Sequence, residues 1–170
     1  MSEIQRRYFL KEKEAKSLLK EAPEKLRIIF EQMFKGKVSF EVVEASIGKI
    51  FLVDDDPVMF NVDGLVFPTL LFGRFLIVAP KIVVDMGAVP YVCKGANVMA
   101  PGIRRFEGEF VKGDIVQIVD EKHGKTIALG KVLHSSQDAK NLNQGAIVEN
   151  VHFVGDKIWS LMKNLAKKDR

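Results

Sequence analysis

Residues 83–103 read VVDMGAVPYVCKGANVMAPGI, and the placement of their small residues decides how the second half of the chain folds. Gly87-Ala88 and Gly95-Ala96 flank a short apolar segment, and Pro101-Gly102 follows closely. Asp85 stands where its carboxylate can cap a helix over residues 86–94. Pro90 lies early enough in that helix to be tolerated, and Gly95 is placed to end it. A glycine has no Cβ, so the backbone beside it admits a close neighbour, whether an adjoining strand or a nucleotide. Followed by Arg104-Arg105, the segment sets exposed backbone beside cations. Single-stranded RNA asks for that combination: polar edges and apolar faces for its bases, Arg or Lys for its phosphates. Corner glycines of a small barrel account for the same residues without any ligand, and the residues alone leave both readings open.

Outward from this stretch, KIVV (81–84) reads as a strand and NVMAPGI (97–103) as the next. VKGDIVQIVD (111–120) and TIALGKVLHS (126–135) follow, with Lys112-Gly113-Asp114 and His123-Gly124-Lys125 at turns. SSQDAKNLNQG reads as a short helix ending at Gly145, and IVENVHFV (147–154) as a last strand. Short strands broken by glycine turns, with little helix, predict a small closed or partly closed barrel. Ile158, Leu161, Met162 and Leu165 then make one face of a terminal helix that packs back onto a domain. Trp159 and Phe153 read as its anchors.

Upstream, PEKLRIIFEQMFKG (23–36) opens on proline and closes on glycine, as helices tend to. Leu26, Ile29, Phe30 and Met33 form its apolar stripe. Residues 11–21 predict an earlier helix with Ala15, Leu18 and Leu19 inward. VSFEVVEA, KIFLV and VMFNV are β-rich runs separated by SIG and DDDP turns, and Asp63-Gly64 marks a further turn. They predict an antiparallel meander packed on the two helices. The run Asp54-Asp55-Asp56 offers carboxylates to a hard cation, but nothing at calcium-loop spacing follows it. It reads as a solvated hairpin turn. The fold class expected is therefore α+β, with a small α+β domain over 1–78, a β-barrel over 79–156, and a C-terminal helix and tail over 157–170.

The 170 residues are 47% hydrophobic and 28% charged, ordinary for a globular protein. No apolar run approaches the length of a membrane span. The charged N-terminus lacks a secretory h-region, and a lone Cys93 leaves no intrachain disulfide. The expectation is a cytoplasmic location with no membrane partner. The net charge is +4, of which +3 falls in residues 156–170, so any nucleic-acid site must be local. His123, His134 and His152 lack metal-ligand spacing, and Cys93 cannot complete a zinc site. Cys93 reads as a packing residue, and Ser135-Ser136 beside His134 has no supporting acid. No phosphate loop or dinucleotide fingerprint is present. Neither a cofactor nor a metal nor a catalytic residue is expected, and the chain is not read as an enzyme.

VDMGAVPYVCKGANVMAPGI resembles the signature of the PUA domain, the RNA-binding module of pseudouridine synthases and archaeosine transglycosylases. GDIVQIVD and ALGKVLHSS are similar to its following strands. FPTLLFGRFLIVAPKIVVDMGA and ENVHFVGDKIWSL extend the likeness to nearly the whole chain. The sequence resembles the translation-factor family of the malignant T-cell-amplified protein, the yeast translation-machinery-associated proteins and the N-terminal part of ligatin, in which a pre-PUA domain precedes PUA. The resemblance implies binding to the small ribosomal subunit and to tRNA, whose 3′ end enters the PUA groove, in initiation, re-initiation or recycling. It also implies, for eukaryotic members, a partner protein carrying an initiation-factor-one-like domain. Carried over, the RNA surface falls on Gly87, Ala88, Lys94, Gly95, Ala96, Asn97, Val98, Met99, Ala100, Pro101 and Gly102. Arg104 and Arg105 join it on chemical grounds, as phosphate contacts. Pro90 and Cys93 depart from many PUA helices and bear on the groove wall. Two other readings compete: an RNA-binding accessory subunit of an RNA-modification enzyme, and a protein-interaction adaptor whose basic tail, LMKNLAKKDR, is merely solvated.

Overall fold

The computed structural model describes residues 4–168. The chain forms two units: one runs to Phe75 and is rejoined from Lys157 onward, and the other spans Leu76–Asp156.

The first unit begins with a strand, β1 (Ile4–Leu10), followed by helices α1 (Glu12–Leu19) and α2 (Glu24–Met33). Strands β2 (Phe40–Ala45), β3 (Gly48–Val53), β4 (Asp56–Val62) and β5 (Leu65–Pro68) complete an antiparallel meander in the order β1-β2-β3-β4-β5. The stripe of α2 buries Leu26, Ile29 and Phe30. Phe30 stacks on Phe72 with centroids 5.4 Å apart, and Phe34, Phe40 and Phe51 continue the aromatic chain toward the sheet. Such ring pairs contribute about 0.5–1.5 kcal/mol beyond area burial. On α1, Ala15 and Leu19 are buried as expected, but Leu18 is 39% exposed and does not face inward. Asp54 and Asp55 both take positive φ, 47° and 71°, which a two-residue hairpin requires. The Asp54 carboxylate accepts from the Ser39 N–H at 2.8 Å. The aspartate run is a turn.

Strand β1 has no sequence-based counterpart. Its residues IQRRYFL show no apolar alternation because it is an edge strand, largely exposed. Pairing with β2 holds it, together with diagonal cross-strand contacts: Arg7 ion-pairs with Glu41, and the Tyr8 hydroxyl donates to Glu44 at 3.0 Å. The last helix, α6 (Lys157–Lys168), returns to this unit, buries Ile158, Leu161, Met162 and Leu165, and packs on β4. The final two residues of the basic tail lie outside the described residues.

Helix α3 (Gly73–Val78) follows β5 and spans the boundary between the two units. The second unit then holds β6 (Lys81–Val84), helix α4 (Val89–Val92), β7 (Val98–Met99), β8 (Ile103–Glu107), β9 (Ile115–Asp120), β10 (Thr126–Val132), helix α5 (Ser136–Ala139) and β11 (Ala146–Phe153). The sheet order is β7-β11-β10-β9-β6-β8, with β6 and β9 parallel and the other pairs antiparallel. Its two outermost strands, β7 and β8, are consecutive in the chain, joined by a single 3-10 turn at Ala100–Gly102. That connection curls the sheet around Ile82, Val84, Val98, Ile118, Ala128 and Ile147, all buried. Gln117, 1% exposed, donates to the carbonyls of Leu76 and Ala79 at 2.7 and 2.9 Å and accepts from the Thr126 hydroxyl at 2.7 Å, so its buried amide is satisfied.

Two expectations in the opening stretch need correcting. The helix expected over 86–94 is only Val89–Val92. Starting it earlier would push Pro90 out of the first turn, where its ring meets the carbonyl four residues back. NVMAPGI is not one strand: Pro101 has no N–H to give a ladder, and the chain breaks there before β8 resumes. Phe153 packs against the second unit's core.

At the turn between β9 and β10, Asp120 accepts from the backbone N–H groups of His123 and Lys125. The His123 bond, chiefly, holds its carboxyl below the usual carboxylate range. A depressed folded pKa stabilises above the unfolded value of about 3.9 and loses that stability as pH falls through the folded value. We expect wild type to hold the amides of this turn more tightly than Asp120→Asn at pH 7, with the difference shrinking below about pH 4. Hydrogen exchange across a pH series measures it.

Candidate nucleic-acid interface

The glycine-rich stretch folds into two adjacent elbows. In the first, Asp85 Oδ1 accepts from the Ala88 N–H at 2.8 Å, while the Asp85 N–H donates to the Gly102 carbonyl at 2.9 Å. A Cβ on Gly102 would lie 3.2 Å from the Ala88 methyl, so a larger residue there would have to push the elbow apart by a few tenths of an ångström. Gly87, Ala88, Pro101 and Gly102 are thereby brought together. Glu121 secures the same corner. One of its oxygens accepts from the Met86 N–H at 3.3 Å and the other from Arg104 Nε at 3.0 Å.

The second elbow is Lys94–Asn97. Gly95 has φ +97°, and its missing Cβ would sit 3.1 Å from the Phe153 ring. Asn150 on β11 ties this elbow down. Its amide donates to the carbonyls of Val92 and Ala96, both at 3.0 Å, and its backbone N–H donates to Asn97 Oδ1 at 3.0 Å. Ala96 and Asn97 are left exposed at the surface. Tyr91 on α4 is 68% exposed and Met99 on β7 is 48% exposed, so these elements present an aromatic and a thioether face to solvent. The Ala100 N–H is used up on the Gly145 carbonyl at 2.9 Å.

Among the residues expected to meet RNA, Val98 is the exception: it is 2% exposed and points into the core, leaving only its backbone for a ligand. Arg104 and Arg105 are both exposed on β8, but they diverge. Arg104 joins the first elbow through Glu121, and Arg105 leans along the strand to Glu107 at 3.8 Å. Salt bridges this exposed are weak, so either guanidinium can exchange its carboxylate for a phosphate. Burial pushes the Cys93 thiol up, and its sulfur packs on the core. A protonated, packed thiol is a structural residue. Ser135 caps α5 by accepting from the Asp138 N–H at 3.2 Å, and Ser136 is buried against the Phe110 N–H, so both serines are structural. Sequence reasoning missed Asn150 and Tyr91. Asn150 carries no motif of its own, and only the fold brings it against residues 92–97.

An elbowed barrel of this design defines a PUA-domain protein, and the PUA family matches residues 80–154. Residues 6–73 match a domain of unknown function (DUF1947). The chain is 38% identical to an uncharacterized protein of Methanocaldococcus jannaschii, covering 93% of this chain and 98% of that one. It is 30% identical to translation machinery-associated protein 20 of Eremothecium gossypii, covering 85% and 84%. A hypothetical protein of Pyrococcus horikoshii has a similar structure, with TM-score 0.74, 32% identity, and 92% and 99% of the two chains covered. The chain belongs to the family of translation machinery-associated protein 20 and malignant T-cell-amplified sequence 1, translation-associated proteins with an RNA-binding PUA domain. No helix among the described residues is long and apolar enough to cross a membrane.

Proposed function

We propose that the chain is a non-catalytic, cytoplasmic translation factor that binds the small ribosomal subunit. In this reading it holds the single-stranded 3′ end of a tRNA across the two elbows of its PUA domain. The observation that carries this is the juxtaposition of two backbone-exposing elbows, Gly87–Ala88 with Gly102 and Gly95–Asn97, beside Tyr91 and Arg104. Splayed bases need stacking faces and polar edges, which Tyr91 and the elbow backbone offer. Arg104, Arg105 and Lys94 supply phosphate contacts that position the strand. A protein with an initiation-factor-one-like domain is the expected partner where the source organism has one.

The test compares intact tRNA with the same tRNA lacking its 3′ single-stranded end, across a salt series. A large loss on trimming with a modest salt slope is expected. Arg104→Ala with Arg105→Ala should lower the slope by roughly 1.5 for a single-stranded contact. Equal binding of both tRNAs, lost steeply with salt, would reduce the domain to phosphate contacts. Co-purification with a modification enzyme instead of ribosomes would favour the accessory-subunit role.

A further inference from the structure

The PUA elbows account for none of the cations on the first unit. Helix α1 carries Lys13 and Lys16, and Lys20 is its C-cap residue, at spacings of three and four that align on one face. Along the axis they step by about 4.5 and 6 Å. Two adjoining cavities open on this face. One, of about 650 Å³, is lined by Lys11, Lys13, Lys16 and Lys20 with Glu12 and Ser17. The other, of about 330 Å³, lies between α1 and α2 and shares Lys16 and Lys20. It adds Arg27 from α2 and is floored by Phe30 and Phe34. Lys16 Nζ stands 5.9 Å from the Phe34 ring centroid. Five cations thus line these two adjoining openings against two carboxylates, Glu12 and Glu31, on a chain whose whole net charge is only +4.

We propose that this α1–α2 groove is a second RNA-binding site, engaging the phosphates of a single strand with Lys13, Lys16, Lys20 and Arg27 and stacking a base on Phe34. A row of cations over an aromatic floor is the common chemistry of single-strand channels. Lys16 is held to Glu12 at 2.7 Å, but both side chains are more than half exposed, at 55% and 58%. Such a pair contributes little stability and is readily given up to a phosphate. An acidic peptide would also be attracted by the charge, yet it has no flat group to use the Phe34 ring. The choice of RNA over other polyanions rests on the RNA-binding reading of the PUA domain; the groove itself does not.

The test is fluorescence anisotropy of the full chain with a labelled oligouridylate, across a salt series, with polyglutamate as competitor. Lys16→Ala, Lys20→Ala and Arg27→Ala combined should weaken binding about tenfold at low salt and lower the salt slope by roughly 2, the loss of three single-strand phosphate contacts. These side chains are exposed and their loss leaves the core intact. Glu12→Gln with Glu31→Gln should act the other way and tighten binding. Phe34→Leu should weaken oligouridylate without changing the salt slope. Wild-type affinity and slope in the triple variant, or polyglutamate that binds the groove while oligouridylate does not, would overturn the proposal. Asn150→Asp, measured in parallel, separates the two sites. If the PUA reading fails, that variant is neutral while the groove variants still lose affinity. If the groove fails, the pattern is reversed.

Discussion

Replacing Gly130 by alanine is expected to destabilise the second unit by about 2–3 kcal/mol, an overpacking cost. Gly130 lies on β10 between β9 and β11, paired with Val116 and Asn150. A Cβ there would sit 2.3 Å from Val148 Cγ1 and 2.7 Å from the Glu149 carbonyl oxygen. Neither neighbour can give way cheaply. Val148 is fully buried and, being β-branched, stiff at χ1, while the Glu149 oxygen is backbone. The sheet must part locally, next to the register shift between Leu129 and Gly130. Gly73→Ala is the control, because a Cβ at Gly73 meets nothing within 4 Å and its φ is not positive. Urea unfolding followed by amide exchange in the second unit should show a clear loss for the first variant and none for the second. Equal behaviour of the two would mean that β10 and β11 are looser than their spacing implies.

Asn150→Asp changes almost no volume and reverses the chemistry. The amide now gives two hydrogen bonds to the carbonyls of Val92 and Ala96. A carboxylate would set negative oxygen against both carbonyls, losing two donors and leaving the acceptors unmatched. The expected cost is about 3 kcal/mol, toward the upper end for part-buried groups that lose their partner. Only the Asn97 link through the Asn150 backbone N–H survives. Because Asn150 pins the elbow without lying on its exposed rim, its loss should loosen residues 94–97 in exchange measurements and weaken tRNA binding together. Wild-type tRNA affinity with a loosened elbow would remove Lys94–Asn97 from the binding surface.

The sequence disclosed most where burial is periodic. The face of α6 and the stripe of α2 are legible because their apolar residues repeat at the helical period, and strands β2 to β4 because each is a short, continuously buried run between turns. Strand β1 is illegible for want of such a pattern: exposed on its edge, it is held by the Arg7–Glu41 ion pair, a Tyr8–Glu44 hydrogen bond and backbone pairing with β2, none of which shows in IQRRYFL. The signature glycines announced close approach of the backbone to a neighbour. What they approach, the Ala88 methyl and the Phe153 ring, comes from the fold. The barrel-corner reading of those glycines is realised at Gly95 and Gly102, where the backbone packs against a neighbouring side chain. The inward turn of Val98 was hidden because two strand residues, one in and one out, do not make a period.

The return of α6 to the first unit has a consequence for the order of assembly. Domains usually fold from the N-terminus as they are synthesised. Here the barrel is finished once Phe153 and the turn after it have emerged, whereas the N-terminal sheet still lacks the helix that covers β4 with Ile158, Leu161, Met162 and Leu165. The part of the protein made first is therefore completed last. A nascent chain from which residues up to Asp156, but none beyond, have emerged should carry a protease-resistant barrel attached to a protease-sensitive N-terminal half.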